Sequence, residues 1–167
     1  MAGGRSPTPS QTVGPFFGFA LPFAGDSDAV SPGQAGVHRI EGQVIDGAGQ
    51  PVADSLIEIW HGEQFARCRT DAEGAFHFSV RKPAASRLPD GRVRAPHLNV
   101  TVLARGLLRH LATFVYFPEE GEANLTDPVL ELVQPSVRET LIAHRNGQVL
   151  RFDIHLQGES ETAFFAF

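Results

Sequence analysis

The sequence predicts an all-β fold: an antiparallel β-sandwich with an extended N-terminal arm, a C-terminal tail and few short helical turns. Three observations predict it. Short segments that alternate apolar and polar residues recur between turn signals, the pattern of strands with one buried face. Glycine (17) and proline (12) are plentiful, as many short strands joined by tight turns require. Hydrophobic residues make up 42% of 167, enough for the core of one ordinary domain.

Residues 1–34 are rich in Gly, Pro, Ser and Ala and show no regular period. Composition alone allows a disordered leader. Phe16, Phe17, Phe19, Leu21 and Phe23 are too apolar for that, so we expect an extended arm (residues 1–34) that packs on a surface, that of a partner subunit where nothing in this chain covers it. The sandwich domain is expected over residues 35–167. Its first strand spans 37–45 and ends in the turn Asp46-Gly47-Ala48-Gly49. The second spans 54–60, with Ser55, Ile57 and Ile59 on one face and Leu56, Glu58 and Trp60 on the other. After the turn Asp71-Ala72-Glu73-Gly74 comes a strand at 75–80, with Phe76, Phe78 and Val80 on one face.

Residues 82–94 read as a polar loop, and 118–127 as an acidic one. Strands are expected at 97–104 and 109–117. A short helical turn fits 127–132. For 136–140 the pattern leaves helix and edge strand open. Residues 149–156 read as one closing strand, with Leu150, Phe152, Ile154 and Leu156 alternating. The apolar tail 163–167 again needs a surface to lie on.

Composition also excludes functions. A formal net charge of −5 argues against a partner held through phosphates. The single cysteine, Cys68, allows no internal disulfide and is expected as a packed thiol on a strand. No apolar run approaches a membrane span and the N-terminus carries no apolar signal core, so the expected location is the cytoplasm. Thirteen phenylalanines against one tyrosine mean that the aromatic residues mostly pack rather than ligate.

The strand with most chemical content is Ala95-Pro96-His97-Leu98-Asn99-Val100-Thr101-Val102-Leu103-Ala104-Arg105-Gly106. His-x-His on a strand puts two imidazoles on one face, a good start for a metal site. Here the second position is Asn99, and an amide is a poor transition-metal ligand. His97 is therefore expected to be a buried histidine bonded to its neighbours. His110, His144 and His155 lie on separate elements, with no metal spacing.

Together with Thr8-Pro9-Ser10-Gln11-Thr12-Val13-Gly14-Pro15-Phe16 and the tail from Gln157 to Phe167, this strand resembles the alpha subunits of intradiol ring-cleavage dioxygenases. The resemblance runs over nearly the whole chain. It implies a β-sandwich that pairs with an iron-bearing beta subunit in a hetero-oligomer of alpha–beta pairs. The holoenzyme would use Fe(III) and O2 to open a carboxylate-bearing catechol between its hydroxylated carbons.

In the catalytic chains of that family two histidines and two tyrosines hold the iron. At the matching positions here only His97 remains, and the loops expected to carry the tyrosines have none. The resemblance thus implies no catalytic residue and no metal in this chain. It assigns a part of the substrate pocket wall to Thr12, Gly14, Pro15 and Arg105. Gly14-Pro15 makes a stiff bend that can approach a ring closely, and Arg105 is a permanent cation suited to an anionic substrate. Without the resemblance, Gly14-Pro15 is an ordinary turn and Arg105 a surface ion pair. Phe16 departs from the pattern by standing where the family carries tyrosine. The rival classes are an independent intradiol enzyme, which the missing ligands oppose, and a non-catalytic β-sandwich binding module.

Overall fold

A computed structural model describes Gly14 and residues 17–166, with only the backbone of Phe19. The strands are β1 (Val37–Ile45), β2 (Leu56–His61), β3 (Gln64–Arg69), β4 (Ala75–Arg81), β5 (Ser86–Arg87), β6 (Val93–Arg94), β7 (His97–Leu103), β8 (Leu111–Tyr116), β9 (His144–Asn146), β10 (Val149–Arg151) and β11 (Ile154–His155). One sheet is built around β1, with β4 antiparallel on one side and β10 and β11 parallel on the other. The second sheet is antiparallel throughout, in the order β3-β2-β7-β8. Between them lies the main core. β1 contributes Ile40 and Val44, β4 contributes Phe76, Phe78 and Val80, and the opposite layer contributes Ile57, Ile59, Leu98, Val100, Val102 and Val115. The period-2 pattern thus chose the inward faces correctly, as burial of one face requires.

The closing strand differs from expectation. Its alternation is real, but the chain breaks into β10 and β11 at Phe152-Asp153. At that break Phe152 N donates to the Glu41 carbonyl at 2.8 Å, and the Asp153 carboxylate accepts from Gln43 N at 2.8 Å. Gly42 lies between. A Cβ there would fall 1.8 Å from the Phe152 carbonyl oxygen, so only glycine admits this approach.

Other loops prove more ordered than their polarity suggested. Residues 82–94 contain the β5–β6 ribbon. The acidic stretch forms a 3₁₀ turn (Pro118–Glu120) and α2 (Gly121–Leu125), after α1 (Phe17–Ala20) in chain order. The undecided stretch is helical: α3 (Pro135–Arg138) runs into a 3₁₀ turn (Glu139–Leu141), with Pro135 at a helix start where its missing N–H is harmless. This excursion covers one end of the outer face of the second sheet. There Ala95, Phe114, Tyr116, Leu130 and Leu141 form a second cluster.

Parts of both terminal segments are covered within this chain. Phe17 is buried within this chain, and Asp28 bridges to Ser79 on β4. In the tail, Phe165 N donates to the Ala112 carbonyl at 2.8 Å and its ring meets Phe114 at 4.9 Å, while Phe164 packs on the main core. Phe23 remains 61% exposed. Phe16 and Phe167 lie outside the described residues.

Candidate functional site

Strand β7 sets His97, Asn99 and Thr101 on the outer face of the second sheet, because Leu98, Val100 and Val102 claim the core. His97 is buried. Its Nδ1 donates to the Ala95 carbonyl at 2.7 Å, and its ring is enclosed by His61, Phe114 and Tyr116. Burial lowers its pKa to about 4, so the imidazole is neutral. Burial lowers the His61 pKa as well. Asn99 Nδ2 donates to the Trp60 carbonyl at 2.9 Å.

On this face, under the helical excursion, lies a buried polar network. The Arg94 guanidinium donates to the Tyr116 hydroxyl, which donates to Asp127 Oδ1 at 3.0 Å. Arg94 Nε stands 3.7 Å from Asp127 Oδ2, and the guanidinium lies 4.5 Å over the Phe114 ring. Asp127 is fully buried and also accepts from the backbone N–H of Ala95, Val129 and Leu130. Burial pushes the Tyr116 phenol well above its ordinary pKa. A cleft of about 390 Å³ opens over the network, lined by Trp60, Arg94, Asn99, Thr101, His110 and Phe114.

These residues do not fit a ferric centre. Such a site needs imidazoles and easily ionised phenols. Here Asn99 is an amide bonded to backbone, and Tyr116 is a hard-to-ionise phenol engaged by Arg94 and Asp127. Cys68 is buried and its pKa is raised by burial, the environment of an inert thiol.

Of the residues assigned to the pocket wall, Gly14 adopts φ 84°, a left-handed conformation that favours glycine. Thr12 and Pro15 lie outside the described residues. Arg105 sits in the turn after β7, with its side chain 70% exposed and its guanidinium 3.5 Å from Asp54. Among the described residues no hydrogen bond or ion pair joins Gly14 to Arg105 directly. Arg105 faces Asp54, which also bonds to the Arg69 guanidinium, and that guanidinium reaches the Gly18 carbonyl at 3.4 Å. The Arg69 hydrogen bond, with the charge of Arg105 adding, holds the Asp54 carboxyl below its usual range.

Sequence reasoning passed over Asp54, Arg94 and Asp127. For Asp127 a signal existed: Asp two and three residues before the N–H groups of a helical turn is a capping arrangement. Arg94 carried no pattern of its own.

The described sandwich has the architecture of intradiol-type dioxygenases. It aligns with the dioxygenase domain of a carbohydrate-binding fusion from Streptomyces sp. SirexAA-E at a TM-score of 0.58 and 24% identity, over 92% of this chain and 99% of that one. It aligns with catechol 1,2-dioxygenase from Acinetobacter sp. ADP1 at 0.56 and 16%, over 77% and 55%. Sequence relatives narrow the class. The protocatechuate 3,4-dioxygenase alpha chain of Pseudomonas putida is 38% identical over 96% of both chains. That of Burkholderia cepacia is 37% identical over 95% of this chain and 96% of its own. The chain belongs to the protocatechuate 3,4-dioxygenase alpha-chain family, whose members are subunits of an intradiol dioxygenase. The Burkholderia cepacia beta chain is also similar, at 29% over 74% of this chain and 65% of its own. No family model matches the chain.

Proposed function

We propose that this chain is the non-iron-binding alpha subunit of a cytoplasmic protocatechuate 3,4-dioxygenase, assembled with a beta subunit into alpha–beta pairs within a larger oligomer. The holoenzyme cleaves protocatechuate with O2 to 3-carboxy-cis,cis-muconate, a step of the β-ketoadipate route of aromatic catabolism. In this reading the ring-opening chemistry belongs to Fe(III) held by the beta subunit. The alpha chain supplies interface and pocket wall through the arm residues Thr12, Gly14 and Pro15 and through Arg105.

Identity at 38% across almost the entire chain is the observation that carries this reading. Two details agree with it. The only position of the metal strand kept as histidine, His97, is buried and neutral, and Arg105 is an exposed cation.

The test is co-expression with a beta chain of the same enzyme family. Each chain alone and the complex are analysed for iron, assembly and protocatechuate consumption. We expect iron to follow the beta chain, the alpha chain alone to hold far less than one iron, and turnover to require the complex. A coloured, stoichiometric iron protein formed by this chain alone overturns the reading.

A further inference from the structure

Arg105 does not stand free. The β2–β7 register pairs Leu56 with Leu103, and extending it by two residues sets Asp54 opposite Arg105. The two carboxylate oxygens of Asp54 divide their work: Oδ1 bonds to Arg69 and Oδ2 faces Arg105 at 3.5 Å. Arg69 in turn reaches the Gly18 carbonyl in α1, within the arm, and its guanidinium lies 3.3 Å from where a Cβ at Gly18 would stand. A second arginine, Arg67, holds the Leu21 carbonyl at 3.0 Å. Asp54 has φ 65°, and among the described residues it is the one non-glycine with positive φ. Aspartate tolerates that conformation better than most residues, yet it still carries strain.

We propose that Asp54 is a positioning residue: with Arg69 it links the N-terminal arm to the β7 turn and presents the Arg105 guanidinium to a bound anionic substrate. This rests on the reading of Arg105 as part of the pocket wall. The physical argument concerns order rather than net affinity. An arginine that is mostly exposed samples many rotamers, and an exposed ion pair stabilises the fold little. A carboxylate fixed by a second arginine narrows that sampling before substrate arrives. The orientation is then present in advance, and substrate binding does not have to supply it. The same link keeps arm and turn in register, so that pocket-wall groups distant in sequence meet one ligand together.

The test uses the alpha–beta holoenzyme with protocatechuate. Asp54→Asn removes the charge and keeps a residue that accepts positive φ, and Asp54→Gly removes the side chain without backbone strain. Each should raise KM by about three- to tenfold with kcat within about twofold, the size expected of lost preorganisation rather than a lost contact. Arg105→Ala should raise KM by at least about tenfold. In the Arg105→Ala background, Asp54→Asn should add less than about twofold, because the two act as one unit.

Unchanged KM in the Asp54 variants beside an impaired Arg105→Ala overturns the inference alone. So does an Asp54→Asn penalty that persists at full size without Arg105. A variant complex that dissociates on gel filtration while its assembled fraction keeps the wild-type KM also overturns it, leaving Asp54 a purely structural contact. Normal kinetics in Arg105→Ala removes Arg105 from the pocket wall, and the inference falls with that reading.

Discussion

At position 99 an amide stands where a metal-binding strand would carry a second imidazole, and that amide is committed to the Trp60 carbonyl at 2.9 Å. Its neighbour His97 keeps the imidazole but in a form useful only for packing. The ring is buried, donates to a backbone carbonyl and has a pKa near 4. The consequence for stability has a definite sign. The unfolded chain binds a proton on this histidine below about pH 6.5, whereas the folded chain resists protonation until about pH 4. The stability it contributes is present above pH 6.5 and is lost as pH falls through that window, by roughly 3 kcal/mol. His61 shifts in the same direction. Urea midpoints of the dilute chain at pH 7 and pH 4.5 should therefore fall further for the wild type than for His97→Gln. An equal fall in both would show that His97 titrates freely.

Among the elements, the helical excursion and β8 are tied by charge rather than by apolar packing alone. Asp127 compensates Arg94 and accepts from a phenol and three backbone N–H groups, all but the Val129 N–H fully buried. Breaking a buried pair on one side leaves a bare charge, which costs about 3–5 kcal/mol. Asp127→Ala should approach that loss in urea unfolding. Tyr116→Phe should cost only about 1–2 kcal/mol, since Arg94 and Asp127 still face each other. Equal, small effects would mean that water reaches the network.

This element also marks the limit of what the sequence makes legible. β1, β4 and β7 could be read from Val37, Phe76 and Leu98 onward, because alternation reports one buried face. β3 was harder, since its inward residues are the small Ala66 and Cys68, which give a weak apolar signal. The excursion reads as acidic loop because Glu119, Glu120 and Glu122 dominate its composition, while Asp127, whose side-chain partners Arg94 and Tyr116 lie on other elements, does the anchoring. In the candidate site the amide at position 99 and the scarcity of tyrosine, with Tyr116 the single one in the sequence, were plain. The Asp54–Arg105 pair was not, because it depends on strand register, and periodicity alone does not supply register.

Over the whole molecule, the described residues leave one sheet face partly bare. The helical excursion covers the end of the second sheet that carries Phe114 and Tyr116, but not the end where Trp60 and Phe65 stand directly opposite one another on β2 and β3. They are 50% and 47% exposed. Phe23, in the segment after α1, is exposed more fully still. Cross-strand aromatic pairs of this kind stabilise a sheet and also offer a ready apolar contact. A family of paired subunits gives that contact a natural use, and full burial of each ring is worth about 1.5–3 kcal/mol. The chain prepared without a beta subunit should consequently self-associate on gel filtration. Trp60→Lys with Phe65→Ser should reduce the self-association and weaken alpha–beta assembly together. The sequence holds one tryptophan, so 5-fluorotryptophan introduced into this chain alone reports on Trp60 without interference. Its fluorine resonance should shift, and lose its sensitivity to solvent isotope, when the beta subunit binds. A resonance that stays solvent-sensitive in the intact complex would place Trp60 outside the subunit contact, and the bare face would then need another explanation.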